Sequence, residues 1–317
     1  MMLPRIVSLL PSATEIVCAL GLGDALVGVS HECDFPAGVE KLPHCSDVKR
    51  PLGKGSARID ASVREILTEA LSVYRVDADL LKKLRPDFVL TQAQCEVCAV
   101  SEDDLVSTLQ DWTEGRPQIL SLSPMRLSDA FADIERVGAA LGRSPEAARC
   151  IERLSARIDA IADKARSRPP RRVALIDWLD PLMMGAEWMP ELVDLAGGIP
   201  VLAEPGQHTK PLPFEALIEA APEAIIVAPC GFSIPDALAD MPAFAARPGY
   251  ADLPAFRNGE VYVADGNHYF NRPGPRLVES LEIVAEILNP DVFTFGHRGK
   301  VYLPWSTPHD RHEESCA

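Results

Sequence analysis

The chain has 317 residues, of which 47 % are hydrophobic, and this is enough apolar sequence for a full core, most naturally divided between two domains. Lys and Arg number 31 against 46 Asp and Glu, so the formal net charge is −15. Because such a field repels phosphate backbones and no basic cluster stands out, nucleic acid is excluded as a partner. The apolar runs are strand-length, far below the ~20 residues of a membrane-spanning helix, so no membrane span is expected.

The beginning of the chain, MMLPRIVSLLPSATE, carries one Arg and shows neither an extended apolar segment nor a small-residue cleavage site. The chain also contains eight cysteines, which in a reducing compartment do not form a disulfide framework. We therefore expect a cytoplasmic protein. The alternative is a periplasmic or lipid-anchored protein from which an export signal has been removed.

Strands and helices alternate through residues 1–143, which are predicted to form an N-terminal α/β lobe. Buried strands are predicted at 5–10, 26–30, 88–91 and 118–122. The first strand is broken by Pro11 and followed by a helix over 14–20, so the lobe opens with a β-α-β unit. Alternation of this kind predicts a parallel sheet with right-handed crossovers.

A long amphipathic helix is predicted in the middle of the chain, within the bridging segment 144–168. Ser144 is a good N-cap, and Pro169 and Pro170 end the helix. Apolar residues recur at three- and four-residue steps and form one narrow stripe, which consists of Ala147, Ile151, Leu154, Ile158, Ile161 and Ala165. At about 1.5 Å per residue the helix is a rod of roughly 35 Å, which we interpret as the connection between two lobes.

The plan of the first lobe repeats in residues 169–290, the predicted C-terminal α/β lobe. LKKLRPDFVL at 81–90 is echoed by LIEAAPEAIIV at 217–227, each with a helix end, a Pro-acid turn and a buried strand. An internal duplication without a short period indicates two similar lobes rather than a solenoid. Residues 291–317 are polar and are predicted to form a C-terminal extension.

Ligands bind beyond the carboxyl ends of parallel strands, so we expect the two lobes to face each other across a cleft lined by those ends. The loops that follow the predicted strands carry the candidate ligand-binding residues, which are Ser12, His31, Asp34 and Gln92 in the first lobe and Trp178, Trp188, Phe232, His268, Tyr269 and Arg272 in the second. The two tryptophans either pack in the core or form a flat apolar platform for a planar ligand. His268 is either a ligand or bonded to backbone. Arg272 either offers a forked donor to the ligand or pairs with an acidic neighbour.

Cysteines follow several of the same strands. Cys95 and Cys98 have the C-x-x-C spacing that lets two thiolates hold one metal ion or act as a redox pair. With Cys33 and Cys230, or with His31 in place of one of them, they form a set of four soft ligands suited to Zn or an iron–sulfur cluster. The alternative is that these thiols are structural or face the ligand without holding a metal.

Five segments carry a resemblance to a known family, and they are SLLPSATEIVCALGLGDALVGVSHECDFP, RPDFVLTQ, LVDLAGG, APEAIIVAPCGF and GNHYFNRPGPRLVESLEIVAEILNP. They resemble the BtuF-like, cobalamin-binding branch of the helical-backbone (class III) substrate-binding proteins of ABC transporters, over roughly residues 4–290. The resemblance implies two Rossmann-like α/β lobes with mostly parallel sheets, bridged by one long helix. It further implies a corrinoid, heme, siderophore or metal ligand held between the lobes.

The main hypothesis is a non-catalytic binding protein that holds a cobalamin-like or other metal-containing ligand in the cleft, as the substrate-binding component of an ABC importer. The resemblance implies that acidic residues on the lobes contact the permease, and Glu15 and Glu191 occupy equivalent first-helix positions in the two halves. The alternative is a cytoplasmic metalloprotein or enzyme whose cysteines hold Zn or an iron–sulfur cluster.

Overall fold

The structure is a computed structural model that describes residues 3–69, 73–92, 105 and 116–306. The helices are α1 (Pro11–Ala19), α2 (Ser56–Glu69), α3 (Ala78–Leu84), α4 (Leu127–Ala140), α5 (Ser144–Ala165), α6 (Met189–Leu195), α7 (Phe214–Ala220), α8 (Ile234–Ala245), α9 (Pro254–Arg257) and α10 (Leu277–Leu288). The strands are β1 (Ile6–Ser8), β2 (Leu26–Val29), β3 (Ser46–Val48), β4 (Tyr74–Val76), β5 (Phe88–Gln92), β6 (Gln118–Leu122), β7 (Arg171–Trp178), β8 (Met183–Met184), β9 (Gly198–Pro200), β10 (Ala224–Val227), β11 (Val261–Ala264) and β12 (Tyr302–Pro304).

The chain divides into two compact units. Unit 1 consists of Met1–Gly53, Ala61–Leu154 and Pro273–Pro275, and unit 2 consists of Lys54–Asp60, Ser155–Arg272 and Arg276–Ala317. The division falls inside α5, between Leu154 and Ser155. One continuous helix therefore belongs partly to each unit.

Unit 1 is built on a parallel sheet in the order β2-β1-β5-β6, with Val7 opposite Val89 in β5. Val7, Leu9 and Val89 are fully buried, as expected for strands covered on both faces. The predicted parallel sheet is confirmed. A separate antiparallel pair, β3 with β4, was not predicted, because its three-residue strands are too short to show an alternating pattern.

Unit 2 repeats this order in the parallel part of its sheet, β9-β7-β10-β11. Two antiparallel strands are added, β8 on β7 and β12 on β11. The central strand of this sheet, β7, pairs with β9 on one side and with β10 on the other. The duplication that was inferred from the sequence is thus visible in the shared strand order.

The segment after α10 is folded back onto unit 2, and Glu286 holds it in place. The Glu286 carboxylate accepts the backbone N–H groups of Phe295 at 2.9 Å and Arg298 at 3.1 Å, and the hydroxyl of Tyr302 lies 3.3 Å from it. Trp305, which follows β12, is only 8 % exposed. The polar stretch that begins at residue 291 therefore supplies an edge strand and a core tryptophan.

The long helix α5 confirms the amphipathic pattern read from the sequence. Five of the six stripe residues are at most 7 % exposed, and these are Ala147, Leu154, Ile158, Ile161 and Ala165. The sixth, Ile151, is half-buried. In the part of the chain that the structure describes, no helix combines the length and apolarity needed to cross a bilayer.

Candidate functional site

An aromatic pair lies where two neighbouring strands of unit 2 end. Trp178 is the last residue of β7, and Phe232 follows β10 after a short Pro-Cys-Gly turn. The two rings meet edge to face, with centroids 5.3 Å apart. The Trp178 indole N–H donates to the carbonyl of Asp180 at 3.1 Å, which fixes the orientation of the ring. Phe232 is 5 % exposed and belongs to the core, so it supports the half-buried Trp178 ring from the inside.

A single π-helical turn, Gly266–Phe270, follows β11 and presents His268. Asp265 caps this turn: one carboxylate oxygen accepts the backbone N–H of His268 at 2.9 Å, and the other lies 2.7 Å from the His268 Nδ1. The imidazole side chain remains 35 % exposed. The Asp265 carboxylate therefore fixes both the backbone and the ring of this partly exposed histidine. π-helical turns of this kind are frequent at functional sites.

The π-helical turn is packed tightly against the segment that carries Phe232. The backbone N–H of Asn267 donates to the Phe232 carbonyl at 3.0 Å. A Cβ at Gly266 would clash with the carbonyl oxygen of Pro229 and would come within 2.6 Å of the Ala228 carbonyl. Because backbone rather than a flexible side chain fills this space, only glycine fits here. His268 and the aromatic pair thus belong to one connected surface of unit 2, which we call the strand-end surface.

Two predicted ligand-binding residues of the second lobe are buried within unit 2. Trp188 is 4 % exposed, and its indole N–H donates to the carbonyl of Phe270 at 3.0 Å. Arg272 is also 4 % exposed and donates to Asn267 Oδ1 at 3.0 Å. Of the two interpretations of Trp188, these contacts favour core packing, and Arg272 bonds within its own loop; their places among the ligand-binding residues stay predictions. Both side chains donate hydrogen bonds to residues of the π-helical turn.

Tyr269 is part of the π-helical turn and contacts residues at the start of α10. Its ring is 6.5 Å from that of His268, and the Arg276 guanidinium lies over it at 5.5 Å from the centroid. Its carbonyl accepts the Ser280 hydroxyl. Tyr269 is half-buried, so its place among the ligand-binding residues stays a prediction.

Unit 1 places its predicted residues after β1, β2 and β5. Ser12 and Gln92 are buried, at 3 % and 8 % exposure, and Asp34 is exposed. The His31 ring packs against Tyr74 at 5.5 Å, and its Nδ1 lies 3.3 Å from the Ser46 hydroxyl. Burial is the main cause that lowers the pKa of His31, so its neutral form is favoured.

The two predicted permease-contact residues differ in exposure. Glu15 is 3 % exposed, because α1 is buried along most of its length. A side chain so deeply buried is poorly placed for surface docking, and the role of Glu15 in permease contact stays a prediction. Glu191 is half-buried in the first turn of α6, and its docking role stays a prediction.

The predicted metal ligands are only partly within the described chain. Cys33 is 2 % exposed, with its sulfur 3.1 Å from the Thr14 hydroxyl, and Cys230 is half-buried in unit 2. Cys95 and Cys98 lie outside the described residues. Within residues 3–69, 73–92, 105 and 116–306, no group of three or more His, Cys, Asp or Glu side chains is placed to hold a metal ion. The four-ligand set therefore stays a prediction, because two of its members lie outside the described residues.

Two residues near these surfaces were missed by the sequence reading. Asp265 orients His268, and the signal that could have found it is an Asp three residues before the histidine, the spacing of an N-cap. Cys45 is fully buried, and desolvation raises the pKa of its thiol to about 12, so it is an inert core residue. No local pattern distinguishes such a cysteine from a reactive one.

Comparison with known proteins decides the family. The family model described as periplasmic binding protein matches residues 6–267. The chain belongs to this family. The expected class III fold, with two α/β units and one long helix shared by both, is confirmed by the likeness to solved structures of periplasmic binding proteins.

Three relatives illustrate the range of the family. The chain is 25 % identical over 295 residues to the ABC transporter substrate-binding lipoprotein YvrC of Bacillus subtilis, covering 91 % of this chain and 81 % of that protein. It is 23 % identical over 237 residues to the vitamin B12-binding protein of Yersinia pestis, 70 % of this chain and 69 % of that one. A crystal structure of a periplasmic heme binding protein from Pseudomonas aeruginosa matches with a TM-score of 0.69 and 22 % identity, covering 96 % and 99 % of the two chains.

The same comparison corrects the expected location. We expected a cytoplasmic protein, but the similar proteins are a lipoprotein and a periplasmic protein, and the family itself is described as periplasmic. The expectation rested on the cysteine count and on the first residues of the chain. Neither of these determines where a binding protein works.

Proposed function

We propose that this protein is the substrate-binding component of an ABC importer and that its substrate is a large, planar, metal-containing macrocycle, a corrinoid such as cobalamin or a heme. The observation that carries the proposal is the strand-end surface of unit 2, where the half-buried Trp178, backed by Phe232, lies beside the turn that presents His268. Sites for large planar ligands are mostly apolar and aromatic, with few well-placed polar groups.

The family relationships support this ligand class. One relative is named as an ABC transporter lipoprotein, another as a vitamin B12-binding protein, and a third as a heme binding protein. Cobalamin and heme share a flat tetrapyrrole-derived ring with a metal at its centre, which suits an aromatic face with a nitrogen donor beside it. The proposal assigns binding without catalysis.

The test is a titration of the purified protein with cyanocobalamin and, separately, with hemin, followed by tryptophan fluorescence and by the absorption spectrum of the ligand. We expect saturable binding of at least one of the two ligands at micromolar concentration. If neither binds at tens of micromolar, the proposal is wrong. The two titrations also separate a corrinoid-binding protein from a heme-binding one.

A variant of the aromatic pair makes the test specific. Trp178→Ala removes the more exposed ring of the aromatic pair and is expected to weaken binding about tenfold, which corresponds to ~1.4 kcal/mol. Phe295→Ala is the matched control, because Phe295 is a 40 % exposed aromatic residue that lies away from the strand-end surface. An equal loss in both variants would show that the aromatic pair has no special role.

A further inference from the structure

The helix α2 is divided between the two units, as α5 is. Lys54–Asp60, which contains the first turn of α2, is counted in unit 2, and the helix from Ala61 onward is counted in unit 1. Apolar packing follows the same division, because Ile59 packs against the core cluster of unit 2, whereas Val63 and Leu67 pack against that of unit 1. We call Lys54–Asp60 the strap.

The carboxylate of Asp240, on α8 of unit 2, caps the strap. The first N–H groups of a helix have no acceptor within the helix, and the positive end of the helix dipole favours a negative charge there. In α2 the Ser56 N–H donates to Asp240 Oδ2 at 2.6 Å, and Ser56 is 3 % exposed. Gly55 has a φ of +80°, and a Cβ there would lie 2.7 Å from Asp240 Oδ1. The cap therefore needs this glycine and this carboxylate together.

The strap and the strand-end surface share one helix and one core cluster of unit 2. Ile59 packs against the cluster that contains Phe232, and Trp178 packs against the same cluster. The helix α8, which supplies Asp240, begins at Ile234, two residues after Phe232. A displacement of the strap therefore uncovers part of the cluster on which the aromatic pair rests.

The strap is held less firmly than the π-helical turn. Its anchors, Ile59 and Asp240, are both half-buried, and three of the seven strap residues are exposed, whereas the turn is packed against backbone at Gly266. Gly53 and Gly55 lie at its beginning, where a hinge can absorb changes of φ and ψ. Segments with few buried contacts open locally while the rest of the fold stays intact. The strap therefore has the features of an element that opens by itself.

We propose that the strap is a lid on the strand-end surface, closed in this structure, and that it must detach from Asp240 and from the core cluster before the macrocycle can enter or leave. The hinge is the Gly53–Gly55 segment. Because the lid bars entry and exit alike, loosening it speeds both association and dissociation and leaves their ratio, the Kd, unchanged. This inference rests on the proposed function, and it adds a moving element that binding of the ligand by itself does not require.

Hydrogen–deuterium exchange of the ligand-free protein measures the opening. We expect peptides that cover the strap to exchange about tenfold faster than those that cover α8. Asp240→Ala, which removes the cap, should speed exchange of the strap about fivefold further and leave the peptide with Gly266–Phe270 unchanged. Asp236→Ala is the matched control, because Asp236 lies one turn earlier on α8, is exposed and bonds to Ser233 rather than to the strap. Protection of the strap equal to that of α8 in wild-type protein overturns the lid.

Stopped-flow tryptophan fluorescence with cyanocobalamin and, separately, with hemin gives the association and dissociation rates. In Asp240→Ala both rates should rise about fivefold with the Kd within about twofold of wild type, and in Asp236→Ala neither rate should change. Asp240→Asn keeps an acceptor oxygen for the Ser56 N–H and should restore most of the wild-type behaviour. A cap that only stabilises the bound complex would instead raise the dissociation rate alone.

The outcomes separate the two proposals. Binding of either ligand with rates that Asp240→Ala leaves unchanged, or with a change in dissociation alone, overturns the lid and leaves the proposed function standing. Failure of both ligands to bind overturns both. Ile59→Ala, which removes the apolar anchor of the strap, should reproduce the rates of Asp240→Ala and gives the answer where that variant does not fold.

Discussion

The two units share a strand order, but a buried carboxyl has a different pKa shift in each. In unit 1 the Asp133 carboxyl is 4 % exposed, and burial outweighs its bond to Arg136 and raises its pKa to about 6. In unit 2 the Glu282 carboxyl is 9 % exposed, and burial again acts to raise its pKa, but its hydrogen bonds from His297 and Arg157 together outweigh burial and lower the pKa. A duplicated fold therefore does not duplicate its chemistry. Unit 2 also holds His268 in place through Asp265.

The largest difference in stability between the units is expected from the packing of the π-helical turn in unit 2. Gly266→Ala places a methyl group against the backbone of Ala228 and Pro229, so the turn must move. We expect a loss of about 3 kcal/mol in the free energy of unfolding, measured with urea, and a loss of ligand binding. Gly23→Ala in unit 1 is the control, because its Cβ would lie an ordinary 3.6 Å from Cys18 Sγ. Equal stability of the two variants would refute the tight packing.

A smaller effect on the free energy of unfolding is expected from the buried carboxyl of Asp133 in unit 1. Asp133 is 4 % exposed, and burial raises its pKa from 3.8 to about 6 despite the bond to Arg136. The folded state thus binds the proton more tightly than the unfolded state, so this group destabilises the fold as pH rises through about 4 to 6. Asp133→Asn should therefore gain about 2 kcal/mol at pH 8 and almost nothing at pH 4. Urea unfolding at the two pH values measures this, and a variant less stable at pH 8 would contradict it.

The smallest effect on the free energy of unfolding is expected from replacing Glu282 of unit 2. This replacement should destabilise the protein, whereas Asp133→Asn should stabilise it. Burial raises the pKa of Glu282, but hydrogen bonds from His297 and Arg157 together outweigh burial and hold the pKa below 4.5. A lowered carboxyl pKa contributes stability that is present above the unfolded value and is lost as pH falls through the folded value. Glu282→Gln should cost about 1 kcal/mol at pH 7, and the difference should shrink in acid. Parallel pH profiles for this variant and Asp133→Asn would erase the contrast between the units.

The fold was predictable because its signals are periodic. The apolar stripe of α5, the buried run of β7 and the echo of 81–90 in 217–227 each extend over enough residues to be read locally. The short strands β3 and β12 carry no such signal. Their places depend on contacts with distant residues, such as the Glu286 carboxylate that holds the segment before β12.

The candidate site was predictable only in part. The rule that ligands bind at strand ends led to Trp178, Phe232 and His268, which share one surface of unit 2. It could not tell that Trp188 and Arg272 in the same loops are buried, because one or two residues of a loop carry no period that distinguishes inward from outward. The part of the prediction that joins both lobes in one cleft stays a prediction.

The strand β12 has a consequence for solubility. Without it, β11 would present a row of unpaired backbone groups, the template on which separate chains add strands to one another. Because Glu286 secures the approach to β12, loss of this one carboxylate on α10 would leave the longer β11 as the edge strand. We therefore expect loss of the hydrogen bonds to Glu286 to cause self-association of the protein before it causes unfolding.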